Sequence, residues 1–189
     1  MSSLVDKIVA VHVALDAAEI PHAFGGALAL AWCTQRARGT IDIDLNVFVD
    51  PSRTAELLAA LPPGVRWSDD DRTRIERDGQ VRLWWDETPV DIFVNTTEYH
   101  EQVAQRCRRE PFAGMEVPFL GCTDLAVFKA FFDRTKDWAD LEEMAAAGTL
   151  DVDRVVGILT HHLGSPEARI DRLRRLSPDR PPSHDLASQ

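Results

Sequence analysis

The sequence predicts an α+β fold, because period-two hydrophobic segments cluster between residues 40 and 94 while helical patterns open the chain and fill it after residue 123. Its 189 residues are 44% apolar and include five tryptophans, enough for one good core, or one core with a small appended layer. The formal net charge of −10 argues against a chain that coats nucleic acid through its phosphates and leaves room only for a local basic groove. No stretch approaches the roughly 20 apolar residues needed to span a bilayer. The opening MSSLVDKIVAVHVALD lacks the basic flank and small-residue cleavage site of a signal peptide. A cytoplasmic protein without a membrane partner is expected.

In chain order, Leu4, Val5, Ile8, Val9, Val11, Val13 and Leu15 space a helix that Ile20-Pro21 ends. His22-Ala23-Phe24 reads as a short strand, Gly25-Gly26 as a tight turn and Ala27 to Cys33 as a buried helix. From Thr40 to Val49 polar and apolar residues alternate, which predicts a strand with Ile41, Ile43 and Leu45 toward the core. Asp50-Pro51-Ser52 opens a helix from about Arg53 to Leu61. Three strands are expected after Pro62-Pro63-Gly64, at Arg72 to Arg77, Val81 to Trp85 and Val90 to Val94, with Asp78-Gly79 as a hairpin turn between the first two. Helices are expected near 123–133, 136–147, 151–163 and 166–176, separated by Gly148, Gly164 and Pro166. Residues 177–189, rich in Pro, Ser and Asp, read as disordered. The expected organisation is a core over 1–118, a helical region over 119–176 that completes the cleft, and the tail.

The chemistry concentrates in carboxylates. Side chains two apart in a strand share a face, so Asp42 and Asp44 stand about 7 Å apart, a repulsion relieved by water or by a cation. Asp91 lies in a second strand of the same type, Val90 to Val94. If the strands are neighbours, three carboxylates converge as an oxygen-only set suited to Mg²⁺ or Mn²⁺, the set that phosphoryl transfer requires. Gly25-Gly26 before a helix lets backbone N–H groups approach phosphate, and Arg38, just before the acidic strand, is within reach of a triphosphate. Arg36 reads as a solvated surface residue.

These residues carry a family resemblance. GGALALAWCTQRARGTIDIDL resembles the polymerase-beta-like nucleotidyltransferases, in which a Gly-Gly or Gly-Ser turn and a helix precede an Arg-x-Thr-x-Asp-x-Asp strand. Asp91 in PVDIF matches the later third acid. DLAVFKAFFDRTKDWADL resembles the D-L-x-x-x-K-x-x-x-x-R-x-K-D-x-x-D-L signature of the toxin subunits of AbiE-type toxin–antitoxin systems. The resemblance implies a nucleotidyltransferase-like mixed sheet with flanking helices, with Asp42, Asp44 and Asp91 binding Mg²⁺ and an NTP as substrate. It further implies that Lys129 and Arg134 touch the triphosphate or acceptor, that Lys136, Asp137 and Asp140 line the site, that a tRNA 3′ end is the acceptor, and that an antitoxin is the partner. Asp137 is grouped with Lys129 and the three acids as catalytic, and Arg134 and Lys136 with Gly25, Gly26 and Arg38 as nucleotide-binding. Taken without the family, Asp140 reads as the surface partner of Lys136. Ala27 stands where many relatives carry Ser or Thr, so one hydroxyl contact to the terminal phosphates is missing.

A small-molecule nucleotidyltransferase of the aminoglycoside type shares the Gly-Gly and Asp-x-Asp elements and is the alternative enzyme. A non-catalytic nucleotide-binding subunit is the alternative outside enzymes, and three intact acids argue against it. His161-His162 read as surface residues at a helix end, since adjacent helical residues point about 100° apart. Trp84 and Trp85 alternate faces, one toward the core. Arg106 to Arg109 and Arg169 to Arg175 are the basic clusters, read as helix faces and as the best candidates for contact with an RNA backbone.

Overall fold

The computed structural model describes residues 2–37 and 39–177. The chain divides into two compact units, Met1–Gly121 and Cys122–Gln189. The tail read as disordered lies outside the described residues except for Ser177, and so does Arg38.

The first unit is built on a seven-stranded mixed sheet. Its strands are β1 (His22–Phe24), β2 (Ile43–Val47), β3 (Val65–Arg66), β4 (Gln80–Trp85), β5 (Thr88–Val94), β6 (Arg108–Phe112) and β7 (Met115–Phe119). They lie in the order β3-β4-β5-β2-β1-β7-β6. The parallel pairs are β2 with β5 and β1 with β7; the others are antiparallel. One face carries the core: Ile43, Leu45 and Val47 of β2, Val81 and Leu83 of β4, and Val90, Ile92 and Val94 of β5. Ile8, Val11 and Leu15 of α1 (Leu4–Ala17) join that cluster with Leu57 and Leu58 of α3 (Thr54–Ala60). Burying each of these side chains contributes roughly 1.5–3 kcal/mol. The period-two alternation therefore does two things at once, sending aliphatics to one face and leaving Asp44, Asp91, Arg82 and Trp84 on the other.

Four expectations are corrected. Arg72 to Arg77 is helical, inside α4 (Asp69–Asp78). Ser68 caps it with a capping box to Asp71, three aspartates occupy its first turn, and Gly79 at φ 70° ends it, donating its N–H to Ile75 O at 2.9 Å. Asp78-Gly79 is thus a helix stop, and the hairpin turn lies at Asp86-Glu87 between Trp85 and Thr88. The acidic strand is shorter than expected, because Thr40 Oγ1 accepts from Asp42 N at 3.2 Å and donates to Asp42 O at 3.3 Å, a local pairing that replaces the ladder. Ile41 is consequently 72% exposed, not in the core. The cluster Arg106 to Arg109 is no helix face: Arg108 and Arg109 lie in edge strand β6, after α5 (Glu98–Ala104).

Lys7 of α1 ties that helix to the β4–β5 hairpin, donating to Trp85 O at 2.8 Å and Thr88 Oγ1 at 3.0 Å, with Asp86 at 3.3 Å. Trp85 packs against the core while Trp84 is 46% exposed, as alternation requires.

The second unit is helical among its described residues: α6 (Cys122–Phe132), α7 (Thr135–Ala146), α8 (Val152–Leu163) and α9 (Ala168–Arg174). Leu125, Ala130, Trp138, Leu141, Val155, Leu159, Ile170 and Leu173 are buried. His161 and His162 are exposed in the last turn of α8. The arginines of α9 bind within the unit. Arg169 pairs with Glu167 and donates to Phe131 O, Arg172 lies over the Trp138 ring at 4.2 Å, and Arg174 pairs with Asp171. No helix among the described residues is long and apolar enough to cross a membrane.

Candidate active site

The acidic strand and the glycine turn form one piece of structure. Gly25 N donates to Asp44 O at 2.9 Å, and Gly25 is the N-cap of α2 (Gly26–Thr34). Gly26 has φ +51°, and a Cβ there would lie 1.8 Å from Asp44 Oδ2. Only glycine fits, on both conformational and steric grounds. No side chain caps α2 and no acid stands in its first turn, so its positive end faces the surroundings of the Asp44 carboxylate uncompensated by its own helix.

Asp44 and Asp91 are direct partners across the parallel pair β2–β5. Side chains in register on neighbouring strands share a face, and the pair repels unless positive charge is near. Asp42 stands one residue before β2. The positive charge belongs to Arg82, which sequence reasoning missed. Arg82 is opposite Asp91 on β4. Its Nε and Nη2 donate to the two Asp91 oxygens, each at 2.7 Å, and its Nη2 lies 4.0 Å from Asp42 Oδ2. The hydrogen bonds to Asp91, with the charges of Asp91, Asp42 and Asp44, push the guanidinium pKa above its ordinary value against the opposing effect of burial. The signal for Arg82 was present in the alternation of Gln80, Arg82 and Trp84, but only the register of the hairpin places it on Asp91.

The donor chemistry suits a hard divalent cation, since all three side chains offer carboxylate oxygen and a cationic group already stands among them. In this arrangement Asp91 is bound to the guanidinium with Asp42 beside it, and among the described residues no three His, Cys, Asp or Glu side chains are set to hold a metal ion. An open groove of about 420 Å³ borders Asp42, lined by Gly39, Thr40 and Ile41.

The residues of the second motif form a network inside the second unit. Lys129 is buried and donates to Asp140 Oδ2 at 2.6 Å, with Asp137 Oδ1 at 3.8 Å. Asp137 is fully buried, accepts from Arg134 Nε at 2.6 Å, and caps the first turn of α7 through Arg134 N at 3.3 Å. Lys136 is exposed. Asp140 therefore binds Lys129 from the interior and is not the surface partner of Lys136.

No family model matches the chain, and no curated protein does. Solved structures do. The solution structure of the antibiotic-resistance factor ANT(2'')-Ia is similar with a TM-score of 0.57 at 17% identity, over 84% of this chain and 95% of that one. The crystal structure of ANT(2'')-Ia in complex with adenylyl-2''-tobramycin gives a TM-score of 0.59 at 17% identity, over 93% of this chain and 100% of that one. The likeness establishes the fold: a nucleotidyltransferase-like mixed sheet with flanking helices and a helical C-terminal region.

Proposed function

We propose that the protein is a nucleotidyltransferase that moves an NMP from an NTP to an acceptor hydroxyl, with Asp42, Asp44 and Asp91 as the ligands of Mg²⁺ or Mn²⁺. The observation that carries this reading is the register of Asp44 against Asp91, with the Gly25-Gly26 turn packed on Asp44, in a nucleotidyltransferase-like fold. In the reaction the acceptor oxygen bonds to the α-phosphorus, the bond to the β-phosphate oxygen breaks, pyrophosphate leaves and the hydroxyl proton passes to a carboxylate or water. The divalent ion, when bound, supplies charge neutralisation at the phosphate oxygens. The chain contributes backbone N–H groups of the α2 N-terminus for the triphosphate and the carboxylates that orient the reacting groups. Arg38 is assigned to the phosphates by its place before the acidic strand.

Two acceptors are in contention. The DLAVFKAFFDRTKDWADL signature supports a tRNA 3′ end, a growth-inhibiting role and an antitoxin partner, with Lys129, Arg134, Lys136 and Asp137 serving nucleotide or acceptor. The likeness to ANT(2'')-Ia, solved with an adenylylated tobramycin, supports an aminoglycoside-type acceptor equally. The internal pairing of Lys129, Arg134, Asp137 and Asp140 gives that motif a structural reason of its own, which reduces its weight as a mark of the toxin. Incubation with Mg²⁺ and each α-labelled NTP, against total tRNA in one arm and an aminoglycoside panel in the other, separates them. Label on RNA, with arrested growth on expression without a partner, selects the toxin. Label on the drug selects the small-molecule enzyme. Label on neither, with no acceptor found in a cell extract, removes the enzyme reading and leaves a nucleotide-binding subunit.

A further inference from the structure

We propose that Arg82 is a resident counter-ion of the carboxylate cluster, one that occupies Asp91 while the site is free of nucleotide and yields it to the divalent cation when a triphosphate takes the guanidinium. The inference rests on the reading of Asp42, Asp44 and Asp91 as metal ligands.

The Arg82 fork covers both oxygens of Asp91, at 2.7 Å each, with the same Nη2 4.0 Å from Asp42. A divalent ion bound by Asp91 needs an oxygen at about 2.1 Å and repels a guanidinium at that distance. Metal and Arg82 therefore compete for Asp91, because two cations held on one carboxylate repel each other. Asp91 is the more confined partner, its side chain 17% exposed against 49% for Arg82. Leaving the carboxylate thus costs the arginine little packing, and its stem has solvent to swing into. A phosphate group accepts the same planar fork that a carboxylate does, so an NTP in the site offers Arg82 an equivalent partner. Transfer of the guanidinium to the triphosphate frees Asp91 at the moment the metal is needed. Metal and nucleotide then bind cooperatively, because each removes part of the barrier the other meets.

The size of the effect follows from the occupied fraction. If Asp91 is free of Arg82 in about 1–10% of molecules, metal affinity without nucleotide is weakened about ten- to a hundredfold. A cross-strand ion pair that only staples β4 to β5 predicts no such penalty.

Mn²⁺ binding to the full chain, followed by calorimetry and by the loss of its free-ion EPR signal, tests the proposal without reference to turnover. Wild type, Arg82→Lys, Arg82→Gln and Asp91→Asn are each titrated with and without a non-hydrolysable NTP analogue. Arg82→Gln should bind Mn²⁺ at least about tenfold more tightly than wild type in the absence of the analogue. Arg82→Lys, which keeps the charge and loses the fork, should fall between. The analogue should tighten Mn²⁺ binding strongly in wild type and much less in Arg82→Gln. Equal Mn²⁺ affinities for wild type and Arg82→Gln, with the site intact as judged by weaker binding in Asp91→Asn, overturn the role of Arg82. No Mn²⁺ binding in any variant, with or without the analogue, overturns the metal reading itself and the proposal with it.

Discussion

Gly26 and Asp44 set the tolerance of the site at the scale of single residues. Gly26→Ala places a methyl on the Asp44 carboxylate and asks alanine to hold φ +51°, so the variant must displace Asp44, reopen the turn, or both. We expect a loss of about 2 kcal/mol or more in urea unfolding together with a loss of NTP binding, whereas Gly148→Ala, with open space around it, should lose stability alone. Histidines add a pH dependence. Burial holds His12, His22 and His100 below their ordinary pKa, His100 at about 4, and His12 and His22 bond to each other at 2.9 Å. Because each folded pKa is lowered, the unfolded chain binds more protons below about pH 6.5, so the stability they contribute is complete above that pH and is lost on acidification. For His100 the loss amounts to at most roughly 3 kcal/mol on approaching pH 4. Urea midpoints of wild type should fall between pH 7 and 5, and those of His100→Gln should fall less steeply; parallel curves would contradict the assignment. The strands that carry Asp44 and Asp91 were legible in the sequence through their alternation; that the two stand in register was not, and Asp42 falls outside β2. Arg82 was not legible either, because its partner lies across a hairpin whose register no local pattern states.

Elements were read well where period and caps agreed and poorly where one residue pair serves two structures. Asp78-Gly79 suits a two-residue hairpin and equally a helix C-terminus, and the Ser68 capping box decides for the helix. The β6–β7 hairpin was missed because Pro111 and Pro118 argue against strands; the first is tolerated on edge strand β6, and Ala113-Gly114, at φ 50° and 84°, turns the chain. The helices of the second unit were legible nearly to their ends, but the pairing inside them was not. Lys129 is held by Asp140 and Asp137, all three buried, so removing the lysine strands negative charge away from water. Lys129→Ala should therefore destabilise the protein by about 3–5 kcal/mol, and replacing the lysine and Asp140 together by Met and Leu should recover much of that. Chemical denaturation of the single and double variants checks this. A single variant as stable as wild type would show that the network carries no structural load. It also follows that lost activity in Lys129→Ala reports on catalysis only in the fraction that is folded.

At the scale of the whole molecule, the sheet sets Asp44 beside Asp91 and the glycine turn packs on Asp44, all within the first unit, and the fold likeness to ANT(2'')-Ia extends over nearly the full length of both chains. The central claim is that this site performs metal-dependent nucleotidyl transfer. Asp44→Asn tests it most directly, because the amide is nearly isosteric with the carboxylate, keeps its size against Gly26 and removes the charge with one acceptor oxygen. NMP transfer from labelled NTP, measured with Mg²⁺ and with chelator on wild type and Asp44→Asn preparations of matched melting temperature, should show turnover in wild type with Mg²⁺ alone. It should fall by orders of magnitude in the variant. Equal turnover by the two proteins, or wild-type transfer undiminished by the chelator, would contradict the account.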